Sequence, residues 1–286
     1  MVFASSTPLP VGEIGRRIAR RHGTPFVFEV RDLWPEIPEA IGALKNPFLR
    51  RSAHRMAHRV YSSADHVIAL SPGMKSGVME WGVPEEKITV VPNCCDTTLF
   101  GPTDRREELR AEHGWQRKLV CVHSGSMGVV NGLDYLLDCA KVLDEQGVKD
   151  VRIAIVGDGR EKQRLRQRIA DEGIKSAAVF DAVPKRDMPA LLSAADIGVV
   201  SFLPLPYMDT NSANKFFDFL ASGLPVVINY SGWQAAELAE GGAGMTVNPR
   251  DPASLAEALQ ALRRVAGADS EWEAGFREPV AVGGAV

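Results

Sequence analysis

The stretch TNSANKFFDFLASGLPVV, residues 210–227, sets a cation and a carboxylate three apart, Lys215 and Asp218, at the start of an apolar, helix-forming run. Residues three apart share a helix face. Ser212 is a suitable N-cap. It would leave the N–H groups of Ala213, Asn214 and Lys215 aimed at an anion, with the helix dipole behind them. The Lys215 ammonium adds a full charge. One turn on, the Asp218 carboxylate can accept two hydrogen bonds from a vicinal diol such as a ribose. An anion and a ribose together describe a nucleotide. A Lys–Asp pair on a solvated helix face is the simpler alternative. The surrounding FFDFL argues against it, because a mostly buried carboxylate needs partners.

Two glycine-bearing loops offer more anion-binding backbone. HSGSMGVVNG (123–132) carries Gly125, Gly128 and Gly132, and VGDGREK (156–162) carries Gly157 and Gly159. Glycine lets a strand-to-helix turn present bare N–H groups to phosphate. Either loop alone is equally consistent with ordinary turn chemistry. GDGREK lacks the third glycine of a dinucleotide fingerprint, which speaks against a nicotinamide cofactor. In FDAVPKRDM (180–188), the backbone groups of Ala182 and Val183 could pair with the edge of a base, or simply form a loop.

These loops need strands behind them. Short apolar runs at 24–30, 66–70, 87–92, 118–125, 151–157, 177–183, 196–203 and 225–230 alternate with amphipathic segments such as VGEIGRRIARRHG (11–23) and NPFLRRSAHRMAHRVYSSA (46–64). Strands separated by helices at this spacing predict parallel βαβ units and doubly wound sheets. Ligands then bind at the carboxyl ends of the strands. The fold class is α/β, two Rossmann-like domains with the N-terminal one incomplete. Residues 1–105 form that first domain, the polar stretch 106–117 a linker, 118–267 the second domain, and 268–286 a disordered tail rich in Gly, Ala and Val.

Bulk composition narrows the class. The 286 residues give room for two domains, and 45% hydrophobic against 24% charged residues suits a soluble globular protein. A net charge of −3 gives no basis for nucleic-acid binding. Cys94, Cys95, Cys121 and Cys139 show no metal-ligand spacing, so a reduced cytoplasmic protein without zinc is expected. Cys94 and Cys95 read as structural. No apolar stretch reaches membrane-spanning length, and MVFASSTPLPVG lacks the features of a signal peptide. Arg16, Arg17, Arg20 and Arg21 crowd one helix. Arg50, Arg51, Arg55 and Arg59, with His54 and His58, crowd another. Such a face would attract an anionic membrane surface, or be an ordinary solvated face.

VRIAIVGDGREKQRL, LLSAADIGVVSF, NKFFDFLASGLPVV and GMTVNPRDPASLAEAL resemble the nucleotide-sugar-dependent glycosyltransferases of family 4. VRDLWPE (30–36), VIALSPGMKSGV (67–78) and KITVVPNCCDTTLF (87–100) resemble the end of that family's N-terminal domain, and VRDLWPE its lipid-linked-sugar, surface-polysaccharide (O-antigen) branch. The resemblance spans about residues 1 to 262. It implies a GT-B fold, a nucleotide-sugar donor (a UDP-sugar by family usage) and a lipid-linked or saccharide acceptor. It also implies retention of anomeric configuration, no cofactor and no obligatory metal. The family's ribose-binding glutamate falls on Asp218, and its partner glutamate on Thr210, which has no charge. The branch keeps an Asn-Lys pair where Asn214 and Lys215 stand. This assigns Lys215 to the donor phosphates and to catalysis. A loop Arg and Lys common in the family read Ser126 and Asn131 here. The position of a family histidine reads Arg31. Arg31 and Asp32 are thus the polar catalytic candidates of the first domain, or a structural salt bridge under Trp34.

By this resemblance about a hundred residues of the family's first domain are missing. The reading is therefore a transferase peripheral to the inner membrane face, with a non-catalytic donor-binding fragment as the alternative. A nucleotide-sugar 2-epimerase would need a richer set of cleft acids and histidines.

Overall fold

Parallel strands separated by helices build two sheets in the computed structural model, which describes residues 1–6 and 8–268. The tail foreseen at 268–286 lies, from 269 on, outside the described residues.

The first unit comprises residues 1–93 and 205–212. Its elements are β1 (Val2–Ser5), α1 (Pro10–His22), β2 (Phe26–Val30), α2 (Glu36–Ala40), α3 (Pro47–Ser63), β3 (His66–Ala69), α4 (Pro72–Glu80) and β4 (Ile88–Val90). The sheet order is β1-β2-β3-β4, all parallel. Local chemistry sets the helix ends. Asn46 Oδ1 accepts from Phe48 N at 2.9 Å, and Ser71 Oγ accepts from Met74 N at 2.9 Å, each before a proline in the first turn. Phe26, Phe28 and Val30 alternate inward on β2 and pack with Val60, Tyr61 and Val67. Burying each such side chain stabilises by about 1.5–3 kcal/mol. Residues 205–212 are tied into this unit. Ser71 Oγ donates to the Thr210 carbonyl, Asn93 N donates to Ser212 Oγ at 3.3 Å, and Tyr207 packs on the core.

The second unit holds residues 94–204 and, among the described residues, 213–268. In order come α5 (Arg106–Glu112), β5 (Leu119–Ser126), α6 (Asp134–Glu145), β6 (Val151–Asp158), α7 (Lys162–Glu172), β7 (Ala177–Phe180), α8 (Met188–Ala194), β8 (Ile197–Val200), α9 (Asn214–Ala221), β9 (Val226–Ile228), α10 (Trp233–Gly241), β10 (Gly244–Thr246) and α11 (Pro252–Ala268). The parallel sheet runs β7-β6-β5-β8-β9-β10, so winding reverses between β5 and β8. This is the Rossmann order. Cys121, Ile153, Ile155, Val199 and Val227 from its strands meet Leu136, Leu137 and Leu143 of α6 and Leu255 and Leu259 of α11 in the core.

Two expectations about boundaries need correction. The foreseen linker, 106–117, is a built part of the second unit. Helix α5 docks by Arg106 Nη1 donating to the Ser193 and Ala195 carbonyls at 2.7 Å each, and by Arg110 Nη1 to the Ala194 carbonyl at 2.9 Å. Both guanidinium groups also pair with Asp196, whose carboxylate accepts from Val120 N at 2.7 Å. The division falls after residue 93, not 105, and residues 205–212 join the first unit.

Candidate functional site

The reversal between β5 and β8 opens a crevice at the carboxyl ends of the strands, and several foreseen residues gather there. In β5, LVCVHSGS, the first six residues are buried and Gly125 and Ser126 emerge at the end. β5 pairs with β6 so that Gly125 stands opposite Gly157 and Ser126 opposite Asp158. The two glycine loops are thereby pressed together. Gly157 has φ +153°, and a Cβ there would lie 1.8 Å from the Gly125 carbonyl oxygen. Gly159, at φ +152°, would set a Cβ 2.6 Å from the Met127 carbonyl oxygen. No other residue fits either position. Gly128 is unlike them. Its φ is −91°, and a Cβ would make only ordinary contacts, 3.6 Å from Asn131 Nδ2 and Ser126 Oγ.

Helix α9 follows β8 and brings Lys215 to this place. Its Nζ lies 3.0 Å from His123 Nε2 and 3.4 Å from Asn131 Oδ1, with its Cε and Nζ over Gly125. Burial of the ammonium end lowers Lys215 from 10.5 to about 7, although the side chain keeps some solvent contact. His123 is fully buried at 0% exposure. Burial, then the Lys215 cation, holds its pKa well below the ordinary range. The backbone at Val199 and Ser126 pulls the other way without a well-formed hydrogen bond to Nδ1. The imidazole is therefore neutral, and its Nε2 accepts from Lys215.

Asp218 does not pair with Lys215 among the described residues. Its carboxylate faces the Cys95 thiol and Lys185 instead. Burial raises the Asp218 pKa, while the hydrogen bond from Cys95 and the Lys185 charge draw it down. Burial and then Asp218 push the Cys95 thiol up to about 12, so it stays protonated and donates. Cys95 thus supports the site directly, beyond the purely structural part foreseen for it. Cys94 beside it is exposed.

Ser212 is not the helix cap. Ala213 occupies the N-cap position of α9 without a side-chain hydrogen bond, and Asn214 opens the helix. The Ser212 hydroxyl is committed to Asn93 N within the first unit. Ala182 is exposed and Val183 half-buried beyond β7, two strands from β5. Arg31 and Asp32 belong to the first unit. Arg31 N donates to Ser6 Oγ at 2.9 Å, and its guanidinium stands 3.8 Å from Glu29. Sequence reasoning gave His123 and Lys185 no part and read Cys95 as structural. The first had a visible signal, a polar residue ending an apolar strand just before a glycine loop. Among the described residues no group of three or more His, Cys, Asp or Glu side chains is placed to hold a metal ion.

Comparison with known proteins follows the same lines. Residues 118–264 match the family described as glycosyl transferases group 1, and residues 2–94 match a glycosyl transferase 4-like domain. The D-inositol 3-phosphate glycosyltransferase of Corynebacterium urealyticum is 27% identical over 261 residues, covering 82% of this chain; the chain spans only 59% of that protein. The alpha-galactosylglucosyldiacylglycerol synthase of Streptococcus pneumoniae is 25% identical over 135 residues, 46% of this chain and 33% of its own length. Among solved structures, Anabaena HepE in complex with UDP and glucose superposes with a TM-score of 0.74 at 19% identity, covering 97% of this chain and 71% of its own. WaaG, a glycosyltransferase involved in lipopolysaccharide biosynthesis, gives 0.70 at 16%, covering 95% and 79%. At these identities the structural likeness speaks for the fold.

Proposed function

The chain belongs to the glycosyl transferases group 1, and on that premise we propose that it serves the transfer of a sugar from a UDP-sugar to a lipid-linked or saccharide acceptor, with retention of configuration. One observation carries the reading: an ammonium seated over Gly125 at the reversal point, with a half-buried carboxylate one helical turn along. Lys215 and the loop N–H groups would meet the charge that develops on the departing diphosphate. Asp218 would hold the ribose hydroxyls. The anomeric carbon's bond to the diphosphate oxygen breaks as the acceptor hydroxyl oxygen bonds to it, and the hydroxyl proton leaves with the diphosphate. No obligatory metal is part of this scheme. Arg31 and Asp32 stay catalytic candidates of the first domain on the family resemblance alone.

The acceptor class rests on the family branch and on the surface of α3. Phe48 is 84% and Leu49 58% exposed at its start, beside exposed Arg51 and Arg55, which form no ion pair among the described residues. Apolar tips beside arginines suit an anionic lipid surface. No helix among the described residues is long and apolar enough to cross a membrane. On the family branch and the α3 surface, we propose a cytoplasmic protein at the inner membrane face, in surface-polysaccharide (O-antigen) synthesis.

Thermal unfolding with UDP-, GDP- and ADP-sugars tests the donor site. A ligand at a hundred times its Kd adds about 2.7 kcal/mol, or about 5–10 °C for a unit of this size. The expected result is such a shift for the UDP-sugar, abolished by Asp218→Ala. No shift from any nucleotide would sink the proposal. Binding without transfer to any lipid-linked or saccharide acceptor would favour the reading of a donor-binding fragment.

A further inference from the structure

A buried histidine stands beneath the candidate phosphate site, and the scheme above gives it no part. His123 lies within the buried run of β5, two residues before Gly125. It is fully enclosed, and its Nε2 is 3.0 Å from Lys215 Nζ. A buried imidazole beside a cation is a poor choice for packing alone. An apolar residue would fill the same place without a polar group to satisfy. We propose that His123 is a positioning residue: its Nε2 accepts a hydrogen bond from Lys215 and fixes the ammonium over Gly125, where it can meet the phosphates of a nucleoside diphosphate. This inference rests on the donor-binding reading and extends it to the residue that holds the cation in place.

The geometry supports a directional role. The groups that face Lys215 are His123 from β5 and Asn131 Oδ1, at 3.4 Å, from the turn after it. No carboxylate pairs with Lys215 among the described residues. A long, flexible side chain with no acidic partner needs acceptors to select one rotamer, since ordering such a chain costs about 1.5–2 kcal/mol of entropy. Of the two, the histidine is nearer and wholly buried, so it cannot swing away. Its neutral state leaves Nε2 free to accept, and burial keeps it neutral. Phosphate binding then finds the ammonium already in place, and little ordering cost remains at the moment of binding.

The test separates holding the cation from filling the core. Glutamine carries its amide oxygen the same number of bonds from Cα as histidine carries Nε2, whereas asparagine falls one bond short. UDP binding is measured by calorimetry for wild type, His123→Gln, His123→Asn and His123→Phe, with uridine as the phosphate-free probe and thermal unfolding as a check on folding. We expect Gln to bind UDP within about threefold of wild type. Asn and Phe should bind it about tenfold more weakly, as for loss of a charged hydrogen bond, with uridine affinity unchanged in all. Equal UDP affinity in the Asn or Phe variants would overturn the inference. So would a Gln variant as weak as Phe, or a parallel loss of uridine binding, which would mark a structural role. If His123→Phe does not fold, the comparison of Gln with Asn decides. A wild type that binds no nucleoside diphosphate would overturn the donor-binding reading itself, and the role of His123 with it.

Discussion

Replacing Lys215 by methionine should stabilise the fold while removing nucleotide affinity. Burial holds the ammonium at about 7 instead of 10.5. At neutral pH a fall of that size corresponds to about 4 kcal/mol, at about 1.4 kcal/mol per tenfold change in acidity. This is an upper bound, because Lys215 keeps some solvent contact and solvent screens the cost. Methionine also leaves His123 Nε2 and Asn131 Oδ1 without their donor, which takes back about 1 kcal/mol. The net gain is about 1–2 kcal/mol, or about 2–8 °C in the unfolding midpoint. The pH dependence has a definite sign. The folded pKa lies below the unfolded one, so the unfolded chain holds more protons between about 7 and 10.5. Wild-type stability from this residue therefore improves as pH rises through that window. The advantage of the methionine variant is widest at pH 7 and below, and it closes on the alkaline side. Urea unfolding of both proteins at about pH 6.5, 8 and 9.5 measures it. A variant less stable than wild type at every pH would refute the reasoning. Lys215 would then be a structural cation, and its cost would no longer argue for function.

Three further outcomes follow from the packing. Gly157→Ala drives a Cβ to 1.8 Å from a backbone oxygen and should abolish soluble expression, or cost more than about 4 kcal/mol in urea unfolding; Gly128→Ala, whose Cβ would make only ordinary contacts, should change stability by less than about 1 kcal/mol. Asp196→Ala leaves the half-buried Arg106 and the buried Arg110 without their carboxylate and should cost the second unit about 3–5 kcal/mol, read in the same way. Hydrogen bonds from Arg16, the larger influence, and Arg17 lower Glu13 from 4.5 to about 2. Its stabilisation is full above pH 4.5 and is lost as pH falls toward 2, so Glu13→Gln should flatten the acid unfolding curve of wild type over that window.

Much of the fold was legible because its signals are local. The segment 11–23 foretold α1 at Pro10–His22, and 46–64 foretold α3 at Pro47–Ser63. Proline in the first turn and left-handed Gly23 after α1 are written in the chain itself. The three-residue β10 and the α10 before it were missed, since so short a strand shows no period. The linker was misread for a physical reason. Arg106 and Arg110 look solvated in a polar run, yet their guanidinium groups turn inward onto carbonyls that only tertiary structure supplies. The candidate site divides the same way. Lys215 and Asp218 could be placed from helix spacing, and the close-packed glycine loops from their composition. The partners His123 and Cys95 come from segments 92 and 123 residues away in the chain; a polar residue before a glycine loop could mark His123, but no local pattern announces either pairing.

The eight residues 205–212 have a consequence for how the chain is made. They complete the first unit, with the Thr210 carbonyl on Ser71 and Ser212 on Asn93. Yet they are translated more than a hundred residues after β4 closes its sheet. A nascent chain emerging from the ribosome can form the four strands early, but the hydroxyl of Ser71 and the backbone of Asn93 wait on water until most of the second unit has been synthesised. The first unit thus matures last as well as first, and its final hydrogen bonds report that translation has passed β8.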